Sequence, residues 1–342
     1  MKKSVFLGVF RCLLLIGLLF PLLVKGQDIH FSQFFHTPVY QNPAHAGNFV
    51  GDYRFNAAQR TQWRSVSDNP YNTIMVAADA RDFLQQKELG VMALLYHDIT
   101  GDSRFRTVKL NLGASYGFRL KDSLSRISGG LQVDITHRSL NYDDLNFGSQ
   151  YNGIYYDPSL GNGENLQRQS RFYFDAGMGL LYNRRDGFRK IINGGFALFN
   201  IIAPKQSFFN NDEVKLDRRW LIHADAVYPV ADLWDVTGSI QYMQQGSHQE
   251  FLIGAGARYV LKDERGLFRA IKASIHYRNK DAGYLMVGMD YDQWTGGISY
   301  DLNISNLTPA SRYRGGFEFT LIYRLEKFKG FEVPYRKCPV YI

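Results

Sequence analysis

Between Thr107 and Arg138 apolar and polar residues alternate with a period of two, broken once by a short polar turn. Val108, Leu110, Leu112, Ala114, Tyr116, Phe118 and Leu120 are apolar, while Lys109, Asn111, Gly113, Ser115, Gly117 and Arg119 between them are polar or tiny. After Lys121-Asp122-Ser123 the alternation restarts. Ile127, Gly129, Leu131, Val133 and Ile135 stand against Ser128, Gly130, Gln132, Asp134 and Thr136. Successive side chains on a strand point to opposite faces, so this pattern predicts an antiparallel hairpin with one apolar and one polar face. Its strands exceed the usual length of about five or six residues.

The unit recurs. Tyr53, Phe55, Ala57 and Trp63 share one face of a strand over 53–64, and Arg54, Asn56, Arg60, Gln62 and Arg64 share the other. The stretch 71–81 sets Ile74, Val76, Ala78 and Ala80 against Thr73, Met75 and Asp79, and 88–97 is apolar at nearly every position before a turn over 98–102. Alternation returns at Phe172–Tyr182, Ile191–Asn200, Trp220–Tyr228, Trp234–Tyr242, Phe251–Tyr259, Ile271–Tyr277, Leu285–Tyr291, Trp294–Leu302 and Tyr313–Tyr323, giving about fourteen strands. Three long breaks, 140–169, 201–219 and 303–311, follow strands five, seven and thirteen. All three are odd, so all open on one side, and an even count with long loops on one side suits a bacterial outer-membrane barrel. Aromatic residues gather where apolar faces end (Tyr116, Phe118, Tyr182, Tyr228, Trp234, Tyr242, Tyr259, Tyr277), as interfacial girdles do. Mean hydropathy is −0.27, which reads as soluble, but only every second residue of such a barrel meets lipid.

The expected fold is therefore all-β: a closed antiparallel transmembrane β-barrel over 52–325, with an N-terminal extension, 27–51, and a C-terminal tail, 326–342. The apolar face of the hairpin then meets lipid and its polar face points into the barrel. Long loops face outward, and the turn at 121–123 and the tail lie in the periplasm. Residues 1–26 form a cleavable signal peptide: Lys2, Lys3 and Arg11 precede an apolar run from Cys12 to Val24 that is too short to span, and cleavage before Gln27 is expected. The leader holds four of the 40 basic residues and none of the 32 acidic ones, so its removal takes the formal charge from +8 to +4. A surplus of that size does not demand nucleic acid. Cys12 leaves with the leader and Cys338 remains alone, so no internal disulfide is possible. The extension is broken by Pro38, Pro43 and Gly47 and carries His30, His36 and His45; it reads as ordered loop. The tail mixes Lys327, Lys329, Arg336 and Lys337 with Phe328, Phe331, Tyr335 and Tyr341, and suits either a disordered end or a docking element.

The polar face carries Lys109, Arg119, Asp134, Asp175, His223, Asp225, Glu250, Arg258, Lys272, His276, Asp290, Asp301, Arg314 and Glu318. Charges of both signs on an inward face predict salt-bridged packing across the lumen, with a water-filled pore as the alternative. His223 and Asp225 share a face, but no nucleophile at a diagnostic spacing joins them, and neither Gly-x-Ser-x-Gly nor His-Glu-x-x-His occurs. The spacing of His30, His36 and His45 is no metal pattern, and Gly254-x-Gly256 lacks the following helix that a dinucleotide needs. The residues thus predict no catalytic group, cofactor, metal or nucleic acid.

The opening of the chain is more specific. Gln27-Asp28-Ile29-His30-Phe31-Ser32-Gln33-Phe34, Asn42-Pro43-Ala44-His45-Ala46-Gly47, Tyr53-Arg54, Gln59-Arg60-Thr61-Gln62-Trp63 and Asn72-Thr73 resemble the PorP/SprF family, and the likeness runs on through Leu89-Gly90, His97-Asp98 and Pro204-x-Gln206-Ser207. The resemblance implies a non-enzymatic integral outer-membrane barrel of the type IX secretion system of Bacteroidota, linked to gliding motility. It implies work with periplasmic and outer-membrane components of that machine, and help in export or surface retention of substrates bearing a C-terminal secretion domain. The motif residues Asn42, Pro43, Ala44, Gly47, Arg60, Gln62 and Trp63 then serve structure or interaction: a turn at Asn42-Pro43, a bend at Gly47, an interfacial anchor at Trp63. A passive channel for small solutes is the alternative function.

Overall fold

In a computed structural model the described residues are 29–326, apart from 65, 102, 142–144, 146, 158, 162–167, 209, 210, 212, 265, 306 and 307. The expected signal peptide and all of the tail beyond Glu326 lie outside them. Fourteen antiparallel strands close into one barrel. They are β1 (Tyr53–Gln62), β2 (Tyr71–Ala80), β3 (Leu89–Thr100), β4 (Phe105–Arg119), β5 (Ser125–Ser139), β6 (Ser170–Asp186) and β7 (Lys190–Phe199). The second half is β8 (Arg219–Pro229), β9 (Trp234–Gln245), β10 (His248–Glu264), β11 (Leu267–Arg278), β12 (Ala282–Tyr291), β13 (Trp294–Asn303) and β14 (Arg314–Leu325). Each strand pairs with its sequence neighbours, and β1 pairs with β14 from Tyr53↔Leu325 to Thr61↔Phe317. Closure leaves no sheet edge, so the backbone polar groups of the wall are satisfied without water. No helix among the described residues is long and apolar enough to cross a membrane; the strands do that.

The opening hairpin is β4–β5, with Leu112 opposite Val133. Its burial is the reverse of a soluble sheet's: Leu131 is 68% and Val133 57% exposed, while Asp134 is 0% exposed. The apolar face is the outside of the barrel, where hydrocarbon replaces a protein core. Two belts of aromatics ring that outside. Phe55, Tyr116, Phe118, Trp234, Tyr291 and Trp294 mark the end with short turns, and Tyr71, Phe172, Trp220, Tyr277, Tyr300 and Phe317 mark the other end. The long connections 140–169, 200–218 and 304–313 all sit at that second end.

Two expectations need correction. The turn placed over 98–102 begins later: β3 runs to Thr100, and Asp98 is buried on the inner wall, accepting from Thr73 Oγ1 at 2.7 Å. Arg314, assigned to the inner face, is exposed and pairs with outward-facing Leu302, because the β13–β14 register shifts between Tyr300 and Leu302. The loss of period in β3 also has a cause. Met92, Leu94 and Tyr96 face inward against Met75 and Ala77 of β2, Ala58 of β1, and Phe31, Val39 and Ala46 from the N-terminal segment. That wall is therefore apolar on both faces.

Candidate functional site

Residues 29–51 thread the lumen from end to end. Ile29 and His30 line a cavity at the long-loop end with Trp63, Tyr71, Phe105 and Lys280, whereas Asp52 N donates to Leu325 O at the short-turn end. Between them the segment makes three short helical turns, Phe34–His36, Pro38–Gln41 and Pro43–His45. Pro38 and Pro43 open two of these turns, where the missing N–H costs nothing. Sequence alone reads this stretch as a loop-like extension; the structure seats it inside the barrel. We refer to it as the strap.

Asn42 sets the central bend. Its Oδ1 accepts from Ala44 N at 2.9 Å, and its Nδ2 donates to Leu180 O at 3.0 Å and Phe196 O at 3.2 Å on β6 and β7. The wall is hollowed to receive it. A Cβ on Gly179 would stand 1.9 Å from Asn42 Oδ1, and one on Gly130 would stand 2.4 Å from Ala44 N. Gly90, Gly195 and Gly297 leave similar room for Ala46, Asn42 and Gln33. At Gly47 the strap turns with φ +68, which glycine adopts without strain, and its N–H donates to Asp79 Oδ2 at 2.9 Å. Arg54 holds the same carboxylate through Nε at 2.8 Å and Nη2 at 2.9 Å.

Arg60 is the anchor at the other end. Its Nη2 lies 2.9 Å from Asp301 Oδ2 and its Nη1 3.5 Å from Glu318 Oε2, and Nη1 also donates to Ser32 Oγ at 2.8 Å and His30 O at 3.0 Å. Arg278 Nη2 meets the same Asp301 oxygen at 2.8 Å. Glu318 accepts two strap amides, Ser32 N at 2.7 Å and Gln33 N at 2.8 Å. Tyr284 donates to Ser32 O at 2.5 Å. Gln62 faces the guanidinium of Arg60, 3.2 Å from Nε in the amide orientation that satisfies both groups. Trp63, just past β1, has φ +63 and lines the long-loop cavity.

Of the motif residues, then, Asn42, Pro43, Ala44 and Gly47 lie in the strap, Arg60 and Gln62 hold its start, and Trp63 stands at the vestibule. The inward charges pair as expected across strands: Lys109 with Asp134 at 3.4 Å, Arg258 with Asp235 at 2.7 Å, and Lys272 with Asp290 at 3.1 Å. Sequence reasoning missed Arg278, Tyr284 and Ser32. One signal was available: Gly90, Gly130, Gly179, Gly195 and Gly297 all fall at inward positions, more small residues than an empty wall needs. His223 and Asp225 do not cooperate. His223 Nε2 lies 3.3 Å from Asn42 Nδ2 and its ring packs on His45 at 5.3 Å, while Asp225 accepts from Asn193 Nδ2 at 2.7 Å. Among the described residues no three His, Cys, Asp or Glu converge as a metal site would.

The cavities respect this partition. About 700 Å³ opens at the long-loop end above Ile29 and His30, and about 200 Å³ and 300 Å³ open at the short-turn end below Asn48 and Phe49. Strap residues from Phe31 to Asn48 are nearly all buried between them.

Solved outer-membrane proteins share the barrel architecture. The chain is similar to the toluene transporter TbuX of Ralstonia pickettii (12% identity, 85% of this chain and 94% of that one, TM-score 0.49). It is also similar to the P. putida toluene transporter TodX (9%, 84% and 94%, TM-score 0.45) and to a FadL homologue of Pseudomonas aeruginosa (8%, 85% and 94%, TM-score 0.44). No curated protein matches its sequence. The model of one family, described as the type IX secretion system membrane protein PorP/SprF, matches residues 23–323, which takes in the strap and nearly the whole barrel. This closed, strap-filled outer-membrane barrel belongs to the PorP/SprF family of type IX secretion system membrane proteins.

Proposed function

We propose that the protein acts as a closed outer-membrane platform of the type IX secretion system, assisting export or surface retention of partner proteins that carry a C-terminal secretion domain. The observation that supports this reading is the lumen itself. A strap bonded to both ends of the barrel and seated in a glycine-lined groove is a poor design for a solute path, and leaves the rim as the working surface. The long loops 140–169 and 200–218 then face outward and contact the exported partner, and the short-turn end faces periplasmic components of the machine. In this reading the protein is not an enzyme, its membrane is that of a Bacteroidota-type bacterium, and its work is linked to gliding motility.

Deleting Leu140–Gln169 tests it. The shortened barrel should keep its heat-modifiable gel migration, because Ser139-Ser170 becomes a two-residue turn and β5 and β6 still pair from Arg138↔Arg171 onward, and the partner should appear in the medium instead of on the cell. Retention equal to the parent's would remove the loops from the proposal.

A further inference from the structure

We propose that the short-turn mouth of the barrel binds a single carboxylate side chain of a polypeptide reaching in from that end. The cavity there, about 200 Å³, is roofed by the strap at His36, His45 and Asn48 and walled by Arg54, Arg185, Asp225, Arg258, Lys272, Asp290, Asp292 and Arg324. Most of these charges are already matched. Arg54 meets Asp79 at 2.8 Å, Arg258 meets Asp235 at 2.7 Å, Lys272 meets Asp290 at 3.1 Å and Arg269 meets Asp292 at 3.1 Å.

Arg185 and Arg324 are the exceptions. Among the described residues neither has a carboxylate within ion-pair distance. The Arg324 guanidinium donates to one hydroxyl, Thr295 Oγ1 at 3.2 Å, and that of Arg185 to no protein acceptor. Both line the same cavity with Arg54. Among the described residues lining this cavity, Asp225 is the carboxylate outside the ion pairs, and it is held by Asn193. Arg189 lies 2.8 Å from the Asp235 that Arg258 also uses, so the ion pairs of this mouth leave Arg185 and Arg324 uncancelled, and like charges in a partly desolvated mouth repel more than in water.

An entering anion would relieve that repulsion and satisfy the free N–H forks, which match a carboxylate's two oxygens. Asp225 and Asp290 line the same cavity. A monoanion therefore fits, and a doubly charged phosphate meets carboxylate repulsion. At every other arginine of this mouth the matched group is itself a carboxylate. The site lies at the opposite end from the long loops, so it stands or falls independently of their role.

The test uses the purified mature protein in detergent with a fluorescent hexaglutamate peptide, and hexaglutamine as the neutral control, followed by anisotropy. Saturable binding of hexaglutamate alone is expected, weakened at least tenfold in Arg185→Gln/Arg324→Gln. Lys121→Gln/Lys190→Gln, at the exposed rim of the same end, should weaken it less than threefold. Heat-modifiable migration confirms that each variant is folded, and Arg185→Lys/Arg324→Lys should retain part of the affinity. Absence of saturable binding, or an equal loss in the rim variant, would overturn the site. Displacement of the peptide by inorganic phosphate at lower concentration than by acetate would overturn the carboxylate assignment.

Discussion

A barrel lacking Ile29–Val50 is expected to conduct ions in a planar bilayer, whereas the intact protein is expected to be silent. The strap is the only segment among the described residues that crosses the lumen, and it separates the cavities at the two ends. Without it the inner wall presents Asp79, Asp134, Asp301 and Glu318 beside Arg54, Arg60, Arg258 and Arg278, and so large a charged surface fills with water. The barrel itself should survive, because strand pairing, including β1 with β14, does not use the strap. A milder route should act in the same direction. Gly179→Leu drives a side chain into the space of Asn42, and should produce intermittent opening with every strap residue still present. Steps altered by Asp134→Asn or Arg258→Gln would show that the current runs through the lumen. Equal conductance with and without the strap would refute the closed-platform reading and favour a passive channel.

Replacing Arg60 with alanine should cost more stability than any other single substitution of an inward charge. Arg60 is buried between Asp301 and Glu318, and its loss leaves Glu318 without an ionic partner and Asp301 with Arg278 alone. Breaking a buried pair by removing one member costs about 3–5 kcal/mol, because the remaining charge stays desolvated. The measurement is the temperature at which the folded band on a heat-modifiable gel gives way to the unfolded one, which should fall sharply. Arg60→Lys should recover little, since an ammonium cannot span two carboxylates and Ser32 as a planar fork does. Glu318→Gln added to Arg60→Ala should recover part of the loss by removing the stranded charge, while the amide oxygen still accepts from Ser32 or Gln33. A midpoint for Arg60→Ala within about 2 °C of the parent's would show that water compensates the site.

The hairpin Thr107–Arg138 shows why so much of the barrel was readable. Leu112, Leu131 and Val133 face lipid and Asn111, Gln132 and Asp134 face inward because strand direction alternates residue by residue, a strictly local rule. Thirteen of the fourteen pairings join sequence neighbours, so the order of strands needed no long-range information. At β3 the rule fell silent: Met92, Leu94 and Tyr96 are apolar on the inward side for a reason that lies on another segment, Phe31 and Val39. The motif was visible in Asn42-Pro43-Ala44 and in Arg60-x-Gln62-Trp63, but nothing in either stretch says that the first lies inside a wall to which the second belongs.

What the chain alone determined is the barrel: the period of two, the even strand count, the side on which the long loops open, and the polarity of each face. What only the tertiary structure decided is that the barrel is filled. Ser32 and Glu318 bond across 286 positions of sequence, Asn42 finds carbonyls on β6 and β7, and Gly130 and Gly179 are small because of a residue on a distant segment. Contacts of that kind leave no period to detect. They depend on the lumen's width and on the path of one strap through it, and both exist only once β1 has met β14.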